Sequence, residues 1–187
     1  MKKKSFALLL AIAIVVVGVV AGTVAWLTDK TPSVTNTFTT SNIDIDLAET
    51  TGESYKMIPG CTIKKDPKVT VKQGSEACYL FVKLEKSTNF DTFMTYTVAD
   101  GWTELTDVAG VAGVYYREVP AGTADASFDV LAGNKVTVKD DVTKAKMNAL
   151  TQDNTYPTLT VTAYASQLYK NNTQKFTAAE AWANIAP

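Results

Sequence analysis

The side chains that carry most enzymatic chemistry are scarce in this chain. Its 187 residues include no histidine and two cysteines. Without imidazole there is no Ser-His-Asp or Cys-His nucleophile pair, no imidazole zinc ligand and no side chain that titrates near neutrality unperturbed. Cys61 and Cys78 can pair in an oxidising compartment. If the strands around Gly74 form a tight hairpin, however, Cys61 falls several pairs beyond Cys78, and a bridge needs Cα atoms within about 7 Å. Both a Cys61–Cys78 disulfide and two independent thiols therefore stay open, and a catalytic thiol would lack a base. Asp44 and Asp46 share a face and Asp140 adjoins Asp141. Such pairs can bind Ca²⁺ or do acid–base work, but a solvated strand face is the simpler reading. Lys64, Lys65 and Lys68 read as a charged edge that discourages uncontrolled pairing. No phosphate-cradling glycine loop and no metal-ligand spacing occurs. The expectation is a protein that is not an enzyme, with no catalytic residue, cofactor or metal. A formal net charge of −1 also gives no basic surplus for nucleic acid.

The elements that would position these residues begin with an export segment. Lys2, Lys3 and Lys4 precede an uncharged run from Phe6 to Val20, and Ala21-Gly22-Thr23-Val24-Ala25 supplies small residues. This pattern predicts a signal peptide over 1–25, cut between Ala25 and Trp26, because Thr23 and Ala25 suit the −3 and −1 positions. The alternative is an uncleaved anchor, since Phe6 to Leu27 is just long enough to cross about 30 Å of hydrocarbon. In either case the membrane is touched only through this segment. Losing three lysines leaves the remainder mildly acidic, and its length suits one core.

Beyond the signal segment, alternating Thr and Val between Gly, Pro, Asn and Asp is the punctuation of antiparallel strands. About eight are predicted: Ile43–Leu47, Lys68–Lys72, Cys78–Leu84, Phe93–Val98, Gly113–Val119, Ser127–Leu131, Lys135–Lys139 and Thr158–Ala165. Cys78–Leu84 is apolar on both faces as far as Lys83, the mark of a central strand covered twice. The Gln73–Glu76 turn suggests that Lys68–Lys72 and Cys78–Leu84 are spatial neighbours. Val142–Leu150 reads as a minor helix. Thr177–Ile185 reads as a C-terminal helix opened by a capping box, Thr177 with Glu180. Tyr79, Phe81, Tyr115 and Tyr116 read as core, and Trp182 as packing back onto the sheets. The fold class is thus all-β, an antiparallel β-sandwich over residues 42–187 with a short C-terminal helix and one minor helix. Residues 26–41 stand apart as a Thr- and Ser-rich arm, with Val34, Asn36, Phe38 and Thr40 on one face.

Taken in order, several blocks resemble the TasA/camelysin family of exported bacterial proteins. They are Gly22-Thr23-Val24-Ala25-Trp26-Leu27-Thr28-Asp29, Asn36-Thr37-Phe38, Ile43-Asp44-Ile45-Asp46-Leu47, Met57-Ile58-Pro59-Gly60 with Lys65-Asp66-Pro67-Lys68-Val69, Tyr79-Leu80-Phe81-Val82-Lys83, and Ala163-Tyr164-Ala165-Ser166-Gln167 with Ala178-Ala179-Glu180-Ala181-Trp182. The chain departs from the family's usual glycine before the first strand, where it has Ser41-Asn42. The resemblance implies a jelly-roll-like sandwich, cleavage by a signal peptidase of the SipW kind, and assembly into biofilm-matrix or cell-surface fibres, as a homopolymer or with an accessory subunit. A metalloprotease label carried by some relatives finds no His-Glu-x-x-His here.

The residues suggest a physical route to such a fibre. The arm, with Val34, Asn36, Phe38 and Thr40 as donor strand, adds to the next subunit's exposed edge once cleavage frees it. Such contacts are head-to-tail and do not close. The competing expectation is a monomeric secreted adhesin or ligand-binding module that uses Trp102 and Tyr55 as contacts.

Overall fold

The computed structural model describes residues 42–52, 54–151 and 155–185. The signal segment, the cleavage residues Ala25 and Trp26, and the arm with Val34, Asn36, Phe38 and Thr40 lie outside the described residues. Among these described residues ten strands form: β1 (Ile45–Ala48), β2 (Thr62–Lys64), β3 (Lys68–Val71), β4 (Cys78–Lys86), β5 (Met94–Thr95), β6 (Thr103–Glu104), β7 (Val114–Val119), β8 (Ala126–Asp129), β9 (Lys135–Val138) and β10 (Leu159–Gln167). Three short helices accompany them, α1 (Phe90–Phe93), α2 (Lys144–Asn148) and α3 (Ala178–Ala183).

All pairings are antiparallel, in three sheets ordered β1-β3-β8, β2-β9-β5 and β10-β4-β7-β6. The first two sheets are one bent layer. β2 runs into β3 while β8 runs into β9, and hydrogen bonds bridge the break from Lys65 N to Asn134 O (2.8 Å) and from Val130 N to Pro67 O (3.0 Å). Across the break the register slips by two residues, from Lys68 opposite Asp129 to Lys64 opposite Lys135. The surplus is taken up in a 3₁₀ turn at Ala132–Asn134, where Gly133 and Asn134 have φ of 64° and 52°. Glycine and asparagine are the residues that tolerate this left-handed backbone, so the bend is encoded locally. The layers then read β1, β2/β3, β9/β8, β5 against β10, β4, β7, β6. Chain neighbours such as β3 and β4, or β9 and β10, fall in opposite layers, which gives an all-β, jelly-roll-like sandwich.

β4 explains how the core is organised. One of its faces carries Cys78, Leu80, Val82 and Leu84 into the interior between the layers, with Val69, Val71, Val119, Val136 and Val138. The other carries Tyr79 and Phe81 against Val114, Leu105, Ala181 and Trp182 beneath α3. The Trp182 ring lies 5.3 Å from those of Phe81 and Tyr164, so it packs back onto the sheet as expected. Tyr115 and Tyr116 sit half-buried on opposite faces of β7, packed against the inner and the outer core.

β3 and β4 are neighbours across the inner core, but the tight hairpin about Gly74 does not form: the turn at 73–76 gives amides to other segments, Gly74 N to Gly122 O and Glu76 N to Asn42 O, and the chain crosses between layers. One expectation needs correction. The stretch Phe93–Val98 is not one strand. Phe93 closes α1, β5 is Met94–Thr95, and the chain rejoins the layer at the Val98–Leu131 bridge. The predicted helices appear as α2 and α3.

Candidate functional site

Neither cysteine is bonded: Cys61 is an exposed free thiol ahead of β2, and Cys78 is a free thiol buried in β4. They sit in opposite layers. Nothing compensates the burial of Cys78, which pushes its thiol up to about 11, away from reactive thiolate. Asp44, Asp46, Asp140 and Asp141 are all exposed. Among the described residues no group of three or more His, Cys, Asp or Glu is placed to hold a metal ion. Lys65 is tied to Glu49 (2.8 Å) and Lys68 to Asp129 (3.4 Å), so the basic run is largely neutralised in place.

The proposed aromatic contacts are also engaged internally. Trp102 donates its indole N–H to Asp129 O (2.9 Å), and the Arg117 guanidinium lies 5.4 Å from its ring and 3.8 Å from that of Phe128. The Tyr55 hydroxyl donates to Gly52 O and lies 3.0 Å from Thr51 Oγ1.

What remains is a cleft of about 830 Å³ at one end of the sandwich, a feature the sequence reading did not find. Its floor comes from inward-facing residues of both layers, Ile63 and Val136 from β2 and β9, and Leu159 from β10. Phe90 and Met94 close one side, Met147 and Leu150 of the α2 region another, and the 54–58 segment and 156–158 form the rim. Ile58 and Tyr156 at this rim stay 59% and 45% exposed, although both are large and apolar. Such a grouped apolar surface marks a contact site more often than scattered exposed residues do.

β1 pairs with β3 from Ile45–Val71 to Ala48–Lys68, where its ladder ends. Asp66 ties the chain just beyond β1 to the β2–β3 junction. Its carboxylate accepts from Thr50 N (3.0 Å), Thr50 Oγ1 (2.5 Å) and Thr51 Oγ1 (2.9 Å), while Lys65 grips Glu49. The Thr50 side-chain hydrogen bond foremost, and then the other hydroxyl and amide donors with nearby Lys64, hold Asp66 well below the usual carboxylate range.

β2 lies at the edge of its sheet. Its bonds to β9 use the flanking residues, Val138 N to Cys61 O (2.9 Å) and Lys65 N to Asn134 O (2.8 Å). By antiparallel alternation the main-chain groups of Thr62 and Lys64 then face outward, along an edge no described strand occupies. The first residue of β10, likewise an edge strand, lines the same cleft. A signal was present in the sequence, because Met57, Met94 and Met147 are the only methionines after Met1 and all three line this cleft. Nothing local announces that they converge.

The chain matches no protein-family model, no curated protein and no solved structure. No helix among the described residues is long and apolar enough to cross a membrane.

Proposed function

We propose that this protein is a secreted structural subunit that assembles into extracellular biofilm-matrix or cell-surface fibres after cleavage between Ala25 and Trp26. The freed arm is the donor strand, and it adds to an exposed sheet edge of the next subunit. The observation that supports this reading is the outer edge of β2, along which no described strand pairs. A sheet edge with free main-chain groups and no shielding strand is a template for strand addition. The residue chemistry supports a structural role too, since the described surface gathers no nucleophile with a base. In this reading the signal peptidase of the SipW kind sets the timing of assembly, and an accessory subunit is a further candidate partner.

The test is negative-stain electron microscopy at rising concentration on three forms: the chain from Trp26, a form with extra residues ahead of Trp26, and a form lacking Trp26–Thr40. Filaments are expected from the first form alone. Equal polymerisation of the armless form would sink the donor-strand mechanism. Monodisperse particles from all three would favour a monomeric ligand-binding module instead.

A further inference from the structure

The cleft and the open edge of β2 are separate features, since neither Thr62 nor Lys64 is among the residues that line the cleft. We propose that the cleft binds a single-chain anionic amphiphile of the fatty-acid class, with its alkyl chain among Met57, Met94 and Met147 and its carboxylate at the rim beside Lys56. This goes beyond the fibre reading and does not depend on it.

Three observations converge. The first is the order of polarity from depth to mouth. Phe90, Met94 and Val136 are buried, Ile63 and Leu159 are half-buried, and all five present hydrocarbon or thioether side chains to the cleft. A ligand that carried polar groups to that depth would leave them without side-chain partners, at a cost, whereas an alkyl chain gains from leaving water. The volume of about 830 Å³ falls within the range of small-molecule sites, about 300–1,000 Å³.

The second observation is charge. Lys56 and Lys65 line the cleft, and no carboxylate does among the described residues. Lys65 is already matched, its ammonium 2.8 Å from the Glu49 carboxylate. Lys56 is exposed and forms no ion pair among the described residues. Ser54 and Thr158, also exposed, add hydroxyls to the same rim. An ammonium is a point charge with three donors, and with hydroxyls beside it and no acid it suits a monoanionic head group and repels a cationic one. An apolar chain with one negative end therefore matches the cleft along its depth.

The third observation is adaptability. Met57 comes from the rim segment, Met94 from β5 and Met147 from α2, so the thioether lining is assembled from three elements and is not the apolar stripe of one. Unbranched, polarisable side chains repack around guests of differing length and bend.

The same methionines serve as reporters. The experiment uses the chain from Trp26 with a short methionine-free extension ahead of it, the form that the fibre reading keeps unassembled. Met57, Met94 and Met147 are its only methionines, so ¹³C-methyl labelling gives NMR signals from the cleft alone. Dodecanoate, added below its micelle threshold, is expected to shift all of them saturably. Dodecyltrimethylammonium, with the same chain and the opposite charge, should bind about tenfold more weakly, and acetate should leave the signals in place. Lys56→Glu should weaken dodecanoate binding by about tenfold and abolish the preference over the cation. Because Lys56 is exposed, the unliganded spectrum of that variant should match the parent's, which shows that the fold is kept. Signals that do not move with dodecanoate overturn the site. Equal affinity for the two charges, or an unchanged affinity in Lys56→Glu, overturns the anionic head. Phosphatidylglycerol vesicles test a membrane source, and shifts with vesicles but not with dodecanoate overturn the free acid as ligand. Filament formation by the mature chain is scored separately, so either reading can fail without the other.

Discussion

Arg117, the only arginine in the chain, points inward from β7 with no carboxylate to meet it. Its register partner on β4, Leu80, is a core residue, and its Nε is buried without a hydrogen bond. Stacking on Phe128 and Trp102 takes the place of an ion pair, and desolvation lowers its pKa. A planar, weakly hydrated guanidinium suits such a slot, and an ammonium does not. Arg117→Lys should therefore lower stability by about 1 kcal/mol in urea unfolding, and an unchanged midpoint would show that the stacking is incidental. Gly113 is constrained more tightly. It has φ of 69°, and a Cβ there would lie 2.5 Å from the Leu84 carbonyl oxygen, whose own amide donates to Gly113 O. Gly113→Ala should cost on the order of 2–3 kcal/mol, read as a lowered thermal midpoint. The two thiols give a third check: a thiol reagent at pH 8 should modify one cysteine per native chain and two after unfolding, since Cys78 is enclosed and raised to about 11. None native would restore the disulfide. Neither Arg117 nor Gly113 was singled out by its sequence context, because parity in Val114–Val119 does not say which face is interior and glycine next to a strand is common.

At the level of elements, α3 is the clearest case of local encoding. Thr177 Oγ1 accepts from Glu180 N (3.2 Å) and the Glu180 carboxylate accepts from Thr177 N (2.8 Å), so the motif read from Thr-x-x-Glu forms as written. Lys170, at 2.6 Å, adds the largest share of what lowers Glu180 to about 2, with the Thr177 amide next. A depressed carboxylate contributes stability above its ordinary value near 4.5 and loses it as pH falls toward 2. Acidification from pH 5 to pH 2.5 should therefore loosen α3 and expose Trp182 before the sheets unfold, seen as a red shift of tryptophan emission. Glu180→Gln should flatten that transition, and an identical acid profile in the variant would refute the role. β5 shows the opposite case. Phe93–Val98 carries strand-forming residues, but burying Phe90 and Phe93 together takes one turn of helix, a tertiary demand that local propensity does not record.

For the whole molecule, the strands and their two-layer packing were legible, but their partners were not. Alternation announces that Lys68–Val71 and Cys78–Lys86 are strands; it is silent on whether a four-residue turn joins them in one sheet or passes them between two. The answer depends on Asn42 and Gly122, which take up the turn's amides from remote points in the chain. The cleft is hidden for the same reason, since its residues come from segments spread between Ser54 and Leu159. In the proposed fibre reading each subunit both donates an arm and offers the edge of β2, and a subunit with unlike ends grows head-to-tail without closing. The armless form, beginning at Ser41, keeps the acceptor edge and has no strand to offer. Added to mature protein, it should bind the terminal arm of a growing filament and stop that end. Mean filament length in electron micrographs should fall as the armless fraction rises. An armless form whose open edge is blocked by Thr62→Pro, which removes an outward-facing N–H and leaves the bonds to β9 in place, should not shorten the filaments. Equal lengths with and without the first variant would mean that subunits join through some surface other than arm and edge.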